Sequence, residues 1–109
     1  MTRDDSEQRT LRGIGEGGPR EASITAQDVL VMSERRQVLI WLPGEGWDVT
    51  PGRVRLIAGK HRLEAEQLGT EELHGRPVVV LAPAGDWSVA MAIIGRICVA
   101  ALPITLRRL

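Results

Sequence analysis

Side chains capable of acid–base, nucleophilic or metal chemistry form no recognised catalytic or metal-binding pattern in this 109-residue sequence. They are two histidines, one cysteine and a set of carboxylates: His61, His74, Cys98, Asp86, Glu64, Glu66, Glu71 and Glu72. No Cys or His pair has the short spacing of a zinc site. No set of Ser, His and Asp stands out as a nucleophilic arrangement. We therefore predict no catalytic, metal-binding or cofactor-binding residue.

The local context of each group suggests a structural role. His61 lies in an amphipathic segment, which is typical of a partly buried histidine at the edge of a core, and His74 lies in a polar connection. Cys98 lies in an apolar run and is expected to be an unreactive core thiol. The four glutamates are typical of a solvated face and loop.

The N-terminal stretch contains one nucleotide-binding pattern in an unsuitable setting. "GIGEGG" (Gly13 to Gly18) satisfies G-x-G-x-x-G, which binds dinucleotides only between a strand and a helix. Here charged and hydroxyl residues precede it, and Pro19 follows. We interpret residues 1–22 as a flexible tail and residues 23–109 as a single domain.

Composition narrows the functional classes. The formal net charge is zero, with 14 basic and 14 acidic residues, which argues against binding nucleic acid through its phosphates. There is no Phe or Tyr to build a base-stacking platform. A single cysteine and the polar start "MTRDDSEQRT" are consistent with a cytoplasmic protein without a secretory signal.

The apolar stretch from Trp87 to Leu106 has the length of a membrane span. Arg96 near its middle costs about 2.5–3.5 kcal/mol on insertion, and Gly95 and Pro103 weaken it further. We therefore expect no membrane association and assign this stretch to the folded domain.

Periodicity and turn residues divide the domain into alternating elements. The predicted order is a short helix within Ser23–Gln37, a hairpin of strands Val38–Leu42 and Trp47–Thr50 around the turn Pro43–Gly46, an amphipathic helix from Thr50 to Leu68, a buried strand Val78–Ala82, a helix from Asp86 to Gly95 and a strand within 98–104. Trp41 is expected in the core, Trp47 across the hairpin from it, and Trp87 in helix packing. This order predicts an α/β fold: a small partial parallel sheet of strand–helix–strand units, with an N-terminal β-hairpin and a disordered tail.

The same order of motifs resembles the N-terminal part of acyl-adenylate-forming ligases, which include acyl-CoA synthetases, fatty acyl-AMP ligases and peptide-synthetase adenylation domains. The matching features are Thr50 at a helix start, "HGRPVVVLAPAGDWSVAMAIIG" and "AALPI", within residues 24–106. Pro51 and Pro77 replace the family's usual Tyr and Asp. The family's phosphate loop, its nucleotide-binding motifs and its catalytic lysine are absent, so ATP and Mg²⁺ are expected only in a complete parent enzyme.

Three functional hypotheses follow. The resemblance implies a truncated or split ligase piece that is inactive alone and needs a protein partner, or self-association through its exposed sheet edge. The alternative is a small α/β interaction or regulatory module unrelated to adenylation. The third is a small enzyme using some of the groups named above. A covered sheet would favour the module, and an incomplete sheet would favour the ligase piece.

Overall fold

The computed structural model describes residues 20–42 and 46–109 and forms a single curled sheet with one α-helix. The elements are β1 (Glu21–Ile24), β2 (Val29–Met32), β3 (Gln37–Trp41), β4 (Gly52–Ala58), β5 (His61–Leu73), β6 (Arg76–Pro83), α1 (Trp87–Val99) and β7 (Ile104–Arg108). The strand order is β1-β7-β4-β5-β6-β3-β2, and every neighbouring pair is antiparallel.

The predicted parallel α/β fold is therefore wrong. The main error lies at Thr50–Leu68, where the structure has the hairpin β4–β5 in place of an amphipathic helix. The apolar residues of this segment recur at spacings of three and four, but alternate residues also satisfy the period of two that a strand requires. Gly59, with φ of +61°, turns the chain where the helix was expected to continue.

Three smaller predictions are also corrected. The segment Ser23–Gln37 forms strands β1 and β2 and two 3-10 turns (Ala26–Asp28 and Ser33–Arg35) in place of a helix. The Asp28 carboxylate accepts hydrogen bonds from the backbone N–H (3.0 Å) and the hydroxyl (3.1 Å) of Thr25 at the start of the first of these 3-10 turns. Residues 47–49 form no strand, and the last strand begins at Ile104 because α1 continues to Val99.

Other elements are confirmed. The predicted strands Val38–Leu42 and Val78–Ala82 correspond to β3 and β6. Helix α1 follows Asp86, whose carboxylate accepts hydrogen bonds from the backbone N–H groups of Ser88 (2.8 Å) and Val89 (3.1 Å). Two predicted features lie outside the described residues: the "GIGEGG" motif, with the rest of residues 1–19, and most of the predicted turn (43–45). Glu21 and Ala22, which were expected in the tail, belong to β1.

The sheet must curl because of how its two edges are connected. Strands β1 and β2 lie at opposite edges of seven strands, yet only Thr25–Asp28 separates them. A flat sheet with six inter-strand spacings is about 29 Å wide, whereas five residue steps extend at most about 18 Å. The edges are therefore drawn towards each other, and the sheet forms a half-barrel.

Helix α1 fills the concave side of this half-barrel. Its buried residues Ala90, Ile94 and Ile97 recur at helical spacing and pack against the inward side chains of the strands. The inner core comprises Ile24, Val38, Ile40, Trp47, Val54, Leu56, Ala58, Leu63, Ala65, Val79, Leu81, Ile104 and Leu106 in addition to these three. Within the described residues, no helix is long and apolar enough to cross a membrane.

Candidate functional site

The fold separates the groups that were considered for chemistry. His61 and His74 lie at or just beyond the two ends of β5, a 13-residue strand, which is about 40 Å long at 3.3 Å per residue. His74 occupies the β5–β6 turn with φ of +53°, next to Gly75 with φ of +76°. This is the left-handed pair that a two-residue hairpin turn requires. Cys98 lies on α1, so the three residues belong to three different elements.

Three of the candidate carboxylates, Glu64, Glu71 and Asp86, are used in ion pairs or a helix cap, and Glu66 and Glu72 are exposed on β5. Glu64 accepts hydrogen bonds from Arg55 (2.6 Å) and Arg53 (3.1 Å). The hydrogen bond and the positive charge of Arg55 lower the pKa of Glu64, which is the opposite of what a general acid needs. Glu71 pairs with Arg35. In the part of the chain that the structure describes, no three His, Cys, Asp or Glu residues cluster as metal ligands.

Partial burial raises the pKa of the Cys98 thiol. Since only the thiolate is nucleophilic, a raised pKa leaves less reactive sulfur at pH 8. We expect native Cys98 to react with iodoacetamide several-fold more slowly than the same chain in urea, followed by mass spectrometry. N-acetylcysteine, measured in both solvents, controls for the effect of urea on the reagent. Equal rates for native and unfolded chains would contradict the assignment of Cys98 as a core thiol.

Among the described residues, Gln67 is the most deeply buried polar side chain, and it has a structural role. Its amide oxygen accepts a hydrogen bond from Trp47 Nε1 (2.9 Å), and its amide nitrogen donates to the carbonyl oxygens of Asp48 (2.9 Å) and Thr50 (2.7 Å). Arg108 donates to the same two carbonyls at 3.0 and 2.8 Å. We call these five residues the Gln67 clasp. The clasp holds the segment before β4 across the end of the core, so Trp47 pairs with Gln67 and not with Trp41.

Asp48 completes the clasp electrostatically. Hydrogen bonds from Thr50 and the nearby charge of Arg108 lower the pKa of the Asp48 carboxyl. Because its polar groups are paired with one another, the clasp leaves no buried group free for catalysis.

The outer, convex face of the sheet divides into two chemically different halves. On β1, β7, β4 and β5, one cross-strand row reads Glu21, Arg107, Arg55 and Glu64. Ion pairs join Arg107 to Glu21 (2.7 Å) and Arg55 to Glu64 (2.6 Å). This is the polar outer surface expected of an antiparallel sheet that is covered on one side only.

The other half of the same face is apolar. The corresponding row on β5, β6, β3 and β2 reads Gly69, Val80, Leu39 and Leu30. The apolar outward residues of this half, which we call the outer patch, are Leu30, Met32, Leu39, Trp41, Leu73, Val78 and Val80. Leu39, Val78 and Val80 form a buried cluster separate from the main core, and Leu30 is 38% exposed.

A notch interrupts the outer patch at a β-bulge. The register of β5 and β6 shifts between Gln67 and Gly69, which leaves Leu68 outside the regular pairing and 45% exposed. Gly69 has no side chain to cover Val80, and no atom lies within 4 Å of where its Cβ would stand. The resulting notch of about 130 Å³ is lined by Gln37, Leu68, Gly69, Thr70, Glu71 and Val80.

Polar groups border the outer patch without entering it. Arg35 reaches both the Gln37 side-chain oxygen (2.9 Å) and Glu71, which places a charged pair beside the notch. The Arg76 guanidinium stacks over Trp41 at 5.2 Å from the ring centroid. An apolar centre with a polar border, including Trp and Arg, is the composition typical of protein-binding surfaces.

Sequence reasoning missed this surface because it depends on the strand register. "VVVLA" is a buried strand, as predicted, but in the predicted parallel α/β fold helices would cover such a strand. In the structure, the inner face lies against α1, and among the described residues Val78 and Val80 cluster on the outer face with Leu39, Met32, Trp41 and Leu73. The usable sequence signal was the scarcity of charge in β2, β3 and β6.

No family model matches the chain, and no curated protein or solved structure is significantly similar to it. Only the geometry of the chain itself therefore bears on its function.

Proposed function

We propose that this protein is a small interaction module that binds an extended, apolar segment of another protein across its outer patch. The supporting observation is the contrast between the two cross-strand rows: Glu21–Arg107–Arg55–Glu64 is charged, and Gly69–Val80–Leu39–Leu30 is apolar. Both rows lie on one face of one sheet, and around the buried cluster of Leu39, Val78 and Val80 the apolar side chains of Leu30, Met32, Trp41 and Leu73 remain partly exposed. Exposed apolar patches rimmed by polar residues commonly mark interaction sites.

The size of the notch indicates what it accepts. Its volume of about 130 Å³ is well below the roughly 300–1,000 Å³ of cofactor and metabolite sites. A cavity of roughly 150 Å³ holds one benzene, so the notch has room for a single side chain of a bound segment. The Glu71 carboxylate and the Arg35 guanidinium lie beside the notch, where they can contact the backbone of a bound segment whose side chain enters the notch.

Strand β2 favours an extended partner. It is an edge strand of the sheet with the sequence VLVM and no charged residue. The opposite edge strand, β1, carries Glu21, whose charge discourages pairing. An extended segment paired with β2 would extend the sheet at this edge and place alternate side chains beside Leu30.

Peptides displayed from a random library test this proposal. Selection on the wild-type domain should enrich peptides rich in aliphatic and aromatic residues. Leu30→Lys should weaken the binding of those peptides at least tenfold by titration calorimetry, which corresponds to about 1.4 kcal/mol. The charge lies at the border of the patch, where it must be desolvated when a partner binds.

Ser23→Lys is the matched control. Ser23 is also exposed on the outer face of an edge strand, but it lies in the charged half of the sheet. This variant should leave peptide binding unchanged. The proposal fails if no peptide is enriched, or if Ser23→Lys weakens binding as much as Leu30→Lys does.

The hypothesis of a ligase fragment remains a prediction. The parallel sheet that it implied is not formed, and no observation in the described residues favours it over the interaction module.

A further inference from the structure

The outward face of α1 is apolar, although the helix covers one side of the domain only. Of its 13 residues, only Arg96 is charged. Val89 is 59% exposed and Val99 is 81% exposed. A surface helix normally carries polar side chains on its solvent side. The outward residues, which we call the α1 face, are Ser88, Val89, Ala92, Gly95, Arg96 and Val99.

The α1 face is complementary to itself. In an antiparallel pair related by a two-fold axis at Ala92, residues equally distant from Ala92 along the helix face each other. Val89 of one copy then lies opposite Gly95 of the other, and nothing lies within 4 Å of where a Cβ of Gly95 would stand. Val99 similarly faces the exposed Gly85 just before the helix. Each protruding valine therefore meets a glycine.

Charge follows the same symmetry. Arg96 of one copy faces Ser88 of the other, and its long side chain reaches towards the carboxylate of Asp86 at the start of that helix. Within the described residues, Arg96 forms no ion pair in its own chain. In an antiparallel pair, Arg96 of each copy thus lies near Asp86 of the other copy, so the same favourable contact forms at both ends of the interface.

From this complementarity we infer that the chain forms a homodimer through antiparallel packing of its α1 faces. A 13-residue helix is about 20 Å long, so the interface is small and the dimer forms reversibly with rising concentration. This dimer is separate from the proposed function, because the outer patch lies on the opposite face of the sheet from α1.

A charge-swap experiment tests the inference by sedimentation velocity over a range of protein concentrations. Arg96→Glu should raise the dimer dissociation constant at least tenfold, because the glutamate then lies near Asp86 of the other copy. Ser88→Arg should do the same by facing Arg96. The double variant Ser88→Arg/Arg96→Glu should restore association to near the wild-type level, because each new arginine faces a new glutamate.

Both substituted residues are exposed, so urea unfolding should show that all three variants remain folded. Leu30→Lys, on the outer patch, should leave the dissociation constant unchanged. The inference is overturned if the wild-type chain stays monomeric at the highest soluble concentration. It is also overturned if the single variants associate normally or if the double variant fails to recover. Loss of peptide binding without loss of the dimer would separate the two surfaces.

Discussion

Replacing Gln67 with leucine should lower the free energy of unfolding by about 2–3 kcal/mol, although leucine is apolar and of similar size. The substitution leaves the Trp47 indole N–H buried without an acceptor, and an unsatisfied buried group costs about 1–3 kcal/mol. It also removes two of the hydrogen bonds that hold Asp48 and Thr50, so only Arg108 continues to bind these carbonyls. Urea unfolding followed by far-UV circular dichroism measures the loss.

The double variant Gln67→Leu/Trp47→Phe separates the two contributions. Phenylalanine has no N–H group, so removing both partners should recover part of the stability lost by Gln67→Leu alone. If the double variant is as unstable as the sum of both single variants, the Trp47–Gln67 hydrogen bond does not explain the effect. If Gln67→Leu matches the wild type, the clasp is not a stabilising element.

Replacing Ile97 with alanine should lower the free energy of unfolding by about 2–5 kcal/mol. Ile97 is 1% exposed and packs from α1 into the concave side of the sheet. The substitution leaves a cavity between helix and sheet that the curled strands cannot close without shifting their register. Domains of this size have about 5–15 kcal/mol of stability in total, so the loss is a large part of it.

Val99→Ala is the control for Ile97→Ala, since it removes a similar apolar side chain from the same helix. Val99 is 81% exposed, so the expected change is within about 0.5 kcal/mol. Urea unfolding at low protein concentration keeps dimerisation from contributing to either value. Similar losses for both variants would show that α1 does not occupy the concave side of the half-barrel.

The two proposed surfaces would act together. The outer patch lies on the convex side of the sheet, and the α1 face lies beyond its concave side. An antiparallel α1 dimer would therefore present two outer patches facing away from each other. If a partner carries two apolar segments whose linker spans the distance between the two outer patches, the dimer should bind that partner more tightly than a partner with one segment.

The sequence by itself determined the elements that are strongly apolar and bounded by turn residues. β3 and β6 are short, apolar and rich in β-branched residues. α1 begins directly after Asp86, and the Asp86 carboxylate caps the helix whatever the helix packs against. The sequence also predicted an unreactive Cys98, which the alkylation experiment tests. These features depend on residues close together in the chain.

Tertiary structure alone decided the fold class and both surfaces. Between Thr50 and Leu68 the apolar residues satisfy helical and strand periods at once, and pairing with β7 and β6 selects the strands. Gln67 becomes a buried hydrogen-bonding residue only because that hairpin turns it towards Trp47. The outer patch exists because the register places Gly69, Val80, Leu39 and Leu30 in one row, and a register shift of one residue would send them to opposite faces. Backbone pairing between distant strands leaves no local pattern, so only the folded chain reveals it.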